Sequence, residues 1–387
     1  MPLEGDSRRP DRHGHGVRLT LLIGAPLALA LLVVACASTT PTVPPPVVVA
    51  SPTPPPTPTA TTTPAVSPTP ISTPTPTVAA SLVPAALTGV LVEPERADRL
   101  PLAVMLDDNR VARPQSGFNA ASLVYQAPAD GFETRYMLVF GEGDSPDIGP
   151  VRSARFYLVQ WAQEVKAAIA HYGGDRRTRA YIRSHPSQFT DVDGMARGNK
   201  AYHRIKSRKA PHNAYTSTAA LRRMALKLGG PETMGGNLHR RPFRDPIPLA
   251  LRPDGQSIRI PYRTNTITYA YDPSTDQYLR SINGKPHVDP ADDRRVTTSN
   301  IVVLFQKFRI DTKIEPGHSR PDITSLGKGK AWIFAEGRRI TGTWSKASDT
   351  APTRFLDPDG NEIALVRGRT FIQVVPPGTK VVVKGGS

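Results

Sequence analysis

Two arginines flank a serine in the stretch Arg152-Ser153-Ala154-Arg155, which follows a Gly-Pro pair and precedes the apolar run FYLVQWA. The apolar residues of this run recur at helical spacing, so the stretch predicts the start of a helix. Helix starts carry backbone N–H groups without partners, and guanidinium groups bind phosphate or carboxylate through paired hydrogen bonds. The stretch therefore indicates an anion-binding site. The structural alternative is a helix start whose polar groups are solvated.

Other polar residues stand at the ends of predicted elements in the same part of the chain. Arg113 follows the apolar run 101–106, Glu133 and Arg135 open the run 134–140, and His171 precedes a Gly-Gly turn. Ligands of α/β sheets lie outside the carboxyl ends of strands, so we expect one shared anion pocket. The residues predicted to bind the ligand are Arg113, Arg135, Arg152, Ser153, Arg155, Gly173, Gly174, His212 and Asn213.

Each of these assignments has a structural alternative. An arginine taken singly is more often part of a surface ion pair than of a binding site. His212 and Asn213 precede a predicted helix, so forming a turn or capping that helix competes with lining a pocket. The argument for a site therefore depends on whether the arginines meet in one cleft.

Common catalytic and metal-binding patterns are absent from the sequence. It contains no GxxxxGK[ST], GxSxG, HExxH or CxxC motif, and its histidines lack the spacing of a helical metal site. We therefore expect no metal and no cofactor. If the protein turns over a substrate, Glu133 is the candidate general base and His171 the other candidate for handling protons. The sequence favours binding over catalysis and leaves enzymatic activity open.

The first 35 residues predict a secretory signal of the lipoprotein kind. Four arginines precede the apolar run 19–35, which Gly24 and Pro26 interrupt, so the run is too short and broken for a spanning helix. Cys36 is the sole cysteine and resembles the lipidated cysteine of a bacterial lipobox. Lipidation would anchor the chain to the extracytoplasmic surface of a membrane. A signal anchor that keeps a free thiol is the alternative.

The segment 36–92 is predicted to be a disordered linker that begins with the lipidated cysteine. Residues 37–92 contain no charged side chain, and proline and threonine dominate residues 41–80. Such a composition cannot bury a core and favours the extended polyproline II conformation. We expect this linker to hold the folded part away from the membrane.

The formal net charge of +16 suggests an anionic partner. In an exported protein the candidates are the membrane surface, an anionic envelope polymer and a lipid phosphate, besides a protein partner of unknown kind. The sequence has no helix-turn-helix, RNP, KH or zinc-finger pattern, so we do not expect nucleic acid.

Apolar runs bounded by turns alternate with helical patterns in the first folded segment. Strands are predicted over 101–106, 121–127, 134–140 and 167–174, and helices over 154–167, 175–184 and 217–230. This order predicts an α/β layer domain over 93–235. A linker over 236–254 then leads to an antiparallel β domain over 255–387, where alternating strands are joined by turns such as Asn283-Gly284. The predicted fold class is a mixture of α/β and α+β.

A series of stretches along the folded chain resembles the YerB family of bacterial lipoproteins. In the first part they are ARPQSGFNAASLVYQAP, ETRYMLVF, IGPVRSARFY, HYGG and PHNAYTS. In the second part they are TITYAYD, GKGKAWIFAEGRRITGTWSK, FLDPDGNEI and RGRTFIQVVP. The family has an N-terminal and a C-terminal part and no established activity, so the resemblance implies an architecture and a location without a reaction.

A second resemblance concerns the pocket alone. The order of motifs around the pocket is similar to that of the LytR-CpsA-Psr enzymes: a strand with Thr-Arg, then Ser-x-Arg, then a strand ending in Gly-Gly. Those enzymes transfer polymers from polyprenyl pyrophosphate to peptidoglycan. The resemblance implies arginines on a pyrophosphate and aspartates on magnesium. No Asp-Thr pair follows Arg155 here, so magnesium enters only under this alternative.

Three functions follow from these features. The first is a lipoprotein that binds an anionic envelope ligand through an arginine cluster. The second is a phosphoryl-linked glycopolymer transferase. The third is a structural or scaffold lipoprotein whose arginines form internal ion pairs.

Overall fold

A ten-stranded mixed sheet runs through the protein, whose computed structural model describes residues 81–315 and 317–386. The first half of the chain contributes the strands β1 Leu102–Asp107, β2 Leu123–Pro128, β3 Thr134–Phe140, β4 Ala168–His171 and β5 Asp191–Asp193. The second half contributes β6 Ser257–Pro261, β7 Thr266–Asp272, β8 Gln277–Ile282, β9 Asn300–Phe305, β10 Phe308–Glu315, β11 His318–Ile323, β12 Gly327–Ala335, β13 Arg338–Lys346, β14 Arg354–Leu356, β15 Thr370–Val375 and β16 Val382–Lys384.

The helices and the remaining strands are short. The α-helices are α1 Pro94–Ala97, α2 Phe156–Glu164, α3 Arg176–Ser184 and α4 Thr218–Lys227. Single 3-10 turns occupy Arg110–Ala112, Asp130–Phe132, Pro186–Gln188 and Leu249–Leu251. Short strand pairs are Val83–Pro84 with Leu91–Val92, His203–Arg204 with Ala214–Tyr215, Phe243–Arg244 with Leu365–Val366, and Val288–Asp289 with Arg294–Arg295.

The large sheet contains strands from both halves of the chain, in the order β14-β13-β12-β9-β15-β2-β3-β1-β4-β5. The two halves join where β2 pairs in parallel with β15, from Leu123 opposite Thr370 to Gln126 opposite Gln373. Without β15, β2 would leave a row of backbone hydrogen-bonding groups unpaired at a sheet edge. The protein is mostly β-sheet with few helices, and a separate α/β layer domain over 93–235 is not confirmed.

Side chains from the two faces of the large sheet enter two different cores. In β1, Leu102, Val104 and Leu106 face one core, whereas Ala103 and Met105 face the other. This alternation is the normal consequence of the pleat. Helix α2 covers the second core, and a smaller sheet of β6, β7, β8 and β16 with two short strands covers the first.

A buried ion pair ties helix α2 to the second half of the chain. Lys346 Nζ lies 3.2 Å from Glu164 Oε2, and both side chains are fully buried. The same carboxylate accepts hydrogen bonds from the Tyr125 hydroxyl at 2.5 Å and from the backbone N–H of Thr353 at 3.0 Å. The positive charges of Lys346 and Arg241 outweigh the effect of burial, so the pKa of Glu164 is below its usual range.

Most of the locally predicted elements of the first half are present. Strands β1, β2 and β3 and helices α2, α3 and α4 lie inside or within two residues of their predicted ranges. Both α3 and α4 begin with a side-chain cap, since Asp175 accepts a hydrogen bond from Thr178 N at 2.9 Å and Ser217 accepts one from Ala220 N at 3.2 Å.

The end of the predicted disordered linker 36–92 is wrong, because residues 81–92 are part of the fold. Val83–Pro84 pairs with Leu91–Val92, and residues 85–89 between them are buried. Leu87 enters a core, and Gly89, at a φ of 67°, packs on the ring of Phe243 with no room for a side chain. The signal peptide 1–35, Cys36 and the linker as far as residue 80 lie outside the described residues.

Candidate anion-binding cleft

A cleft of about 350 Å³ opens where β1 ends and β3 begins. The two strands are antiparallel, and Asp107 at the end of β1 is paired with Arg135 near the start of β3. The cleft is lined by Asp107, Asn109, Asp130, Glu133, Thr134, Arg135, Arg152, Ser153, Arg155 and Arg320. Three of the four predicted arginines therefore meet in one place, together with Ser153 and Glu133.

Backbone hydrogen bonds fix the segment that carries Arg152, Ser153 and Arg155. Arg152 N donates to Met105 O in β1 at 2.7 Å, and Ala154 N donates to Gly173 O at 2.9 Å. Helix α2 begins only at Phe156, so the segment is extended rather than part of the helix. The β1 strand and the turn after β4 thus hold it between them.

The guanidinium groups of Arg135 and Arg155 are buried and converge on Ser153. Arg135 Nη1 donates to the Ser153 carbonyl at 2.8 Å and to its Oγ at 3.1 Å. Arg155 Nη1 donates to the same Oγ at 3.0 Å. Burial, followed by repulsion from Arg155, lowers the pKa of Arg135 to about 10, so Arg135 remains a cation at neutral pH.

Asp130 is the carboxylate shared by the cleft arginines. It accepts a hydrogen bond from Arg155 Nη2, and its oxygens lie 3.8 Å from Arg135 Nη2 and 3.0 Å from Arg320 Nη1. Burial alone would raise the pKa of Asp130, but Arg155 and the other guanidinium groups lower it to about 2. Asp130 is therefore ionised at neutral pH and holds the arginines in position.

Arg152 has spare hydrogen-bonding capacity. Its Nε lies 3.0 Å from Asp107 Oδ2, while no described residue accepts a hydrogen bond from its Nη1 or Nη2. About 29% of its side chain is exposed, which makes it the most accessible of the three predicted arginines in the cleft. Two donors thus remain for a ligand.

Four guanidinium groups and three carboxylates line the cleft, which leaves it a small positive charge. Two buried guanidinium nitrogens there, Arg135 Nε and Arg155 Nε, have no hydrogen-bond partner in the described part of the chain. Buried polar atoms normally find a partner in protein, water or ligand. The cleft therefore offers guanidinium donors to a bound group, and those of Arg152 are the most accessible.

Arg113 lies outside the cleft, contrary to the prediction. Its Nε lies 3.0 Å from the carboxylate of Asp108, which is fully buried. Asp108 also accepts hydrogen bonds from the side chains of Gln115 and Gln126. The Thr134 hydroxyl donates a further, short hydrogen bond to it. Arg113 is therefore part of a network that supports the end of β1.

His171 and the Gly-Gly turn also lie outside the cleft. His171 is buried, with Nε2 at 2.7 Å from Asp191 Oδ1 and Nδ1 at 2.7 Å from Gly173 O. Both partners are acceptors, so both ring nitrogens donate. Burial would lower the pKa of His171, but Asp191 and Asp193 outweigh it and raise the pKa. His171, Gly173 and Gly174 thus support the segment 152–155 from behind.

His212 and Asn213, both predicted to bind the ligand, lie at different places relative to the cleft. His212 Nδ1 lies 2.6 Å from Asp107 Oδ2, so it contacts a residue that lines the cleft without lining the cleft itself. Asn213 is buried and binds Arg204 and the carbonyls of Ile205 and Arg208. Asn213 therefore shapes a neighbouring loop.

The sequence reasoning missed Asp107, Asn109, Asp130 and Arg320. The sequence could have pointed to Asp107 and Asn109, because Asp107-Asp108-Asn109 directly follows the apolar run 101–106, at the end of a predicted strand. Arg320 comes from β11 in the second half and has no local signal. Within residues 81–315 and 317–386, no group of three His, Cys, Asp or Glu side chains is placed to hold a metal ion. In the same residues, no helix has the length and apolar character needed to cross a membrane.

The protein is thus mainly β, and its two halves share one sheet and jointly line an arginine-rich cleft. Family models for a protein of unknown function, DUF3048, match its N-terminal domain to residues 87–230 and its C-terminal domain to residues 258–372. The chain belongs to this family.

Two comparisons connect the chain to a Bacillus subtilis protein. The chain is 28% identical over 302 residues to "Putative lipoprotein YerB" of strain 168, which covers 77% of this chain and 87% of that protein. The crystal structure of the YerB protein matches with a TM-score of 0.69 and 26% identity, and covers 78% of this chain and 99% of that one. The resemblance to the YerB family is thereby confirmed.

Proposed function

We propose that the protein is a membrane-anchored extracytoplasmic lipoprotein that binds a phosphate-bearing envelope ligand in the arginine cleft. The observation that carries the proposal is the convergence of Arg135, Arg152 and Arg155 on one open cleft, with Arg320 beside them. A phosphate group presents several acceptor oxygens, and guanidinium forks match them in charge and geometry. The ligand class is a lipid phosphate or an anionic wall polymer.

Preorganisation supports this proposal. The Asp130 carboxylate and the Ser153 oxygens hold Arg135 and Arg155 in place. Arginines that are already ordered lose less conformational entropy when a ligand binds. Arg152, with two donors unused by described residues, then supplies the adjustable contact.

The anion proposal is tested by titrating inorganic phosphate and pyrophosphate into the full chain and into Arg152→Ala. The loss of a charge-assisted pair of hydrogen bonds is expected to weaken binding by about 10- to 100-fold. Arg183→Ala is the matched control, since Arg183 is an exposed arginine at the end of α3 that does not line the cleft. Equal binding by the wild type and Arg152→Ala would refute the proposal.

The location is supported by the signal-like residues 1–35 with Cys36 and by the printed name of the relative. Under this proposal Cys36→Ser prevents lipidation, and the protein moves from the membrane fraction to the soluble extracytoplasmic fraction. Mass spectrometry of the wild-type N-terminal peptide should show diacylglycerol on Cys36. A wild-type chain with a free Cys36 thiol would contradict the anchor.

One observation favours the scaffold alternative. Arg135 and Arg155 pair with Asp130, and Arg152 pairs with Asp107, so each cleft arginine already has a carboxylate within 4 Å. If these pairs are purely structural, cleft variants will lower the stability while phosphate neither binds nor stabilises the wild type. The phosphate titration therefore distinguishes the two functions.

The transferase alternative needs a proton-handling group and a place for magnesium. Glu133 lines the cleft, whereas His171 is buried behind it. Asp107 and Asp130 each contact at least two cationic or imidazole groups, so a magnesium ion would have to displace them, and the residues do not fit the metal. Turnover of a polyprenyl-pyrophosphate-linked glycan that Glu133→Gln abolishes, with binding retained, would establish this alternative.

A further inference from the structure

A long run of positive charge without any negative charge follows β5. Residues 194–231 contain nine arginines and lysines and no aspartate or glutamate. Six of the nine lie in the segment 197–209, which we call the basic loop: Arg197, Lys200, Arg204, Lys206, Arg208 and Lys209. None of the six forms a salt bridge within the part of the chain that the structure describes. Ion pairing inside the fold therefore does not account for this charge.

The basic loop is held in place by two of its own cations and presents the other four to solvent. The guanidinium group of Arg204 lies 4.7 Å from the centre of the Tyr172 ring. Arg208 Nη2 donates a hydrogen bond to the Pro114 carbonyl at 2.7 Å. The four remaining cations are exposed, and their side chains have no acceptor among the described residues: Arg197, Lys200, Lys206 and Lys209. These four charges are free to bind a ligand.

A groove of about 850 Å³ lies beside both the cleft and the basic loop. Glu133 lines the groove and the cleft, so these two depressions adjoin there. Pro114, whose carbonyl binds Arg208 of the basic loop, also lines the groove. The turn 110–115 forms one wall of the groove, and the segment 282–293 forms the other. The cleft, the groove and the basic loop are therefore neighbours on one surface.

More cations than carboxylates line the groove. The charged residues in its lining are the cations Arg110, Arg113 and Lys285 and the carboxylates Glu133 and Asp293. Arg110 and Lys285 are exposed, and their side chains have no acceptor in the described part of the chain. The positive excess of the cleft thus continues into the groove and is largest on the basic loop.

Separated cations of this kind suit a ligand that carries several negative charges along a chain. A single phosphate in the cleft would leave the exposed cations of the groove and the basic loop unpaired. Attraction between exposed charges is screened over about 8 Å at physiological ionic strength, so each region needs an anionic group of its own. A bilayer surface is flat, whereas the groove is concave and the side chains of Arg135 and Arg155 are buried. A flexible polymer can enter both depressions.

We propose that the groove and the basic loop bind successive anionic groups of a polymer, one phosphate of which occupies the cleft. The inference rests on the proposed function, because it places that phosphate on the arginines of the cleft. It selects the anionic wall polymer over the single lipid phosphate as the ligand class. The cleft then fixes one unit of the polymer, and the exposed cations add affinity that depends on polymer length and on salt.

The test compares three probes on the full chain: pyrophosphate, a long linear polyphosphate, and vesicles of phosphatidylglycerol and phosphatidylcholine. At equal phosphate concentration, the polyphosphate is expected to bind at least about tenfold more tightly than pyrophosphate, because several sites hold one chain. This advantage should shrink as potassium chloride is added, since exposed charges are screened by salt.

Two variants remove the exposed cations without changing the cleft. Lys200→Gln/Lys206→Gln/Lys209→Gln acts on the basic loop, and Arg110→Gln/Lys285→Gln acts on the groove. Each should lower the affinity for polyphosphate several-fold and leave the affinity for pyrophosphate unchanged. The matched control is a triple variant of exposed lysines that lie outside the basic loop and line neither depression: Lys166→Gln/Lys380→Gln/Lys384→Gln.

The outcomes separate this inference from the proposed function. Absence of pyrophosphate binding to the wild type would overturn the proposed function itself. Pyrophosphate binding without a gain from polyphosphate, or a gain that the loop and groove variants retain, would overturn the polymer inference alone. An equal loss in the control variant would show a response to net charge only and would overturn it as well. Tighter binding to the vesicles than to polyphosphate would overturn it in favour of a lipid surface.

Discussion

At the scale of single residues, Asp130 decides how the cleft arginines are arranged. It is a partner of Arg135, Arg155 and Arg320, and those cations keep its pKa at about 2. Two of the guanidinium groups it binds are more than 90% buried. Buried cations need a counter-charge. Asp130 supplies one to these arginines, and an anion bound from solution would supply another to the same arginines.

Replacing Asp130 is expected to make stability depend on phosphate. Asp130→Asn should lower the free energy of unfolding by about 2 kcal/mol, because it leaves buried guanidinium groups without their counter-charge. Added phosphate should then restore more stability to the variant than to the wild type, as seen in thermal unfolding. Asp245→Asn, which breaks an ion pair in which the aspartate is 81% exposed, should change stability by less than about 1 kcal/mol.

At the scale of elements, the turn after β4 positions the arginine segment. The carbonyl of Gly173 accepts a hydrogen bond from Ala154 N, and Gly173 has a φ of 74° that favours glycine. His171 and Asp191 fix this turn from behind. The cleft therefore depends on residues that never touch its ligand.

A pair of glycine substitutions tests this dependence. Gly173→Ala and Gly198→Ala both place alanine at a φ above 70°, so both should lose about 1–2 kcal/mol of stability. Only Gly173→Ala should also weaken phosphate binding, since Gly198 lies in an exposed turn with nothing within 4 Å of an added side chain. Calorimetric titration of both variants measures the difference. Equal binding by the two variants would count against a role for the turn.

The His171–Asp191 contact predicts a pH dependence of stability. Because the pKa of His171 is raised in the folded state, its stabilising effect is complete below its usual pKa of 6.5 and is lost as the pH rises through the raised value. The stability difference between the wild type and His171→Asn should therefore shrink as the pH increases above 6.5. Urea unfolding across this range measures it, and a difference that grows with pH would contradict the doubly protonated ring.

Local patterns and long-range pairing differ in what a sequence can predict. Apolar periodicity located β1–β3 and α2–α4. The spacing around Ser153 located Arg152 and Arg155, and the start of the run 134–140 located Arg135. The pairing of β2 with β15 joins residues about 250 positions apart, so no local sequence pattern predicts it. His171 was assigned to the pocket because it precedes the Gly-Gly turn. Its partners Asp191 and Asp193 lie on β5, a strand that the sequence did not predict.

At the scale of the whole molecule, the two halves behave as one folding unit. They share the ten-stranded sheet, and the buried pair of Glu164 and Lys346 links them. The cleft also needs both halves, because Arg320 lies on β11 whereas the other cleft residues precede residue 160. The site therefore cannot be complete in the first half alone.

Breaking the buried ion pair should destabilise the entire molecule. Lys346→Met leaves the buried Glu164 with Arg241, 3.6 Å away, as its remaining cationic partner, so the expected loss is about 3 kcal/mol. Glu164→Gln/Lys346→Met should recover part of this loss, because it removes the buried negative charge as well. Hydrogen exchange should show reduced protection in strands of both halves. Loss of protection in the second half only would contradict a shared folding unit.

The central claim is that the arginine cleft binds the phosphate of an envelope ligand. The most direct measurement is a crystal structure of the protein with pyrophosphate or an anomalously scattering phosphate analogue. We predict an anion in contact with the guanidinium groups of Arg135, Arg152 and Arg155, with the free Nη atoms of Arg152 donating to it. An empty cleft at saturating anion, with Arg152 turned away to another partner, would contradict the claim.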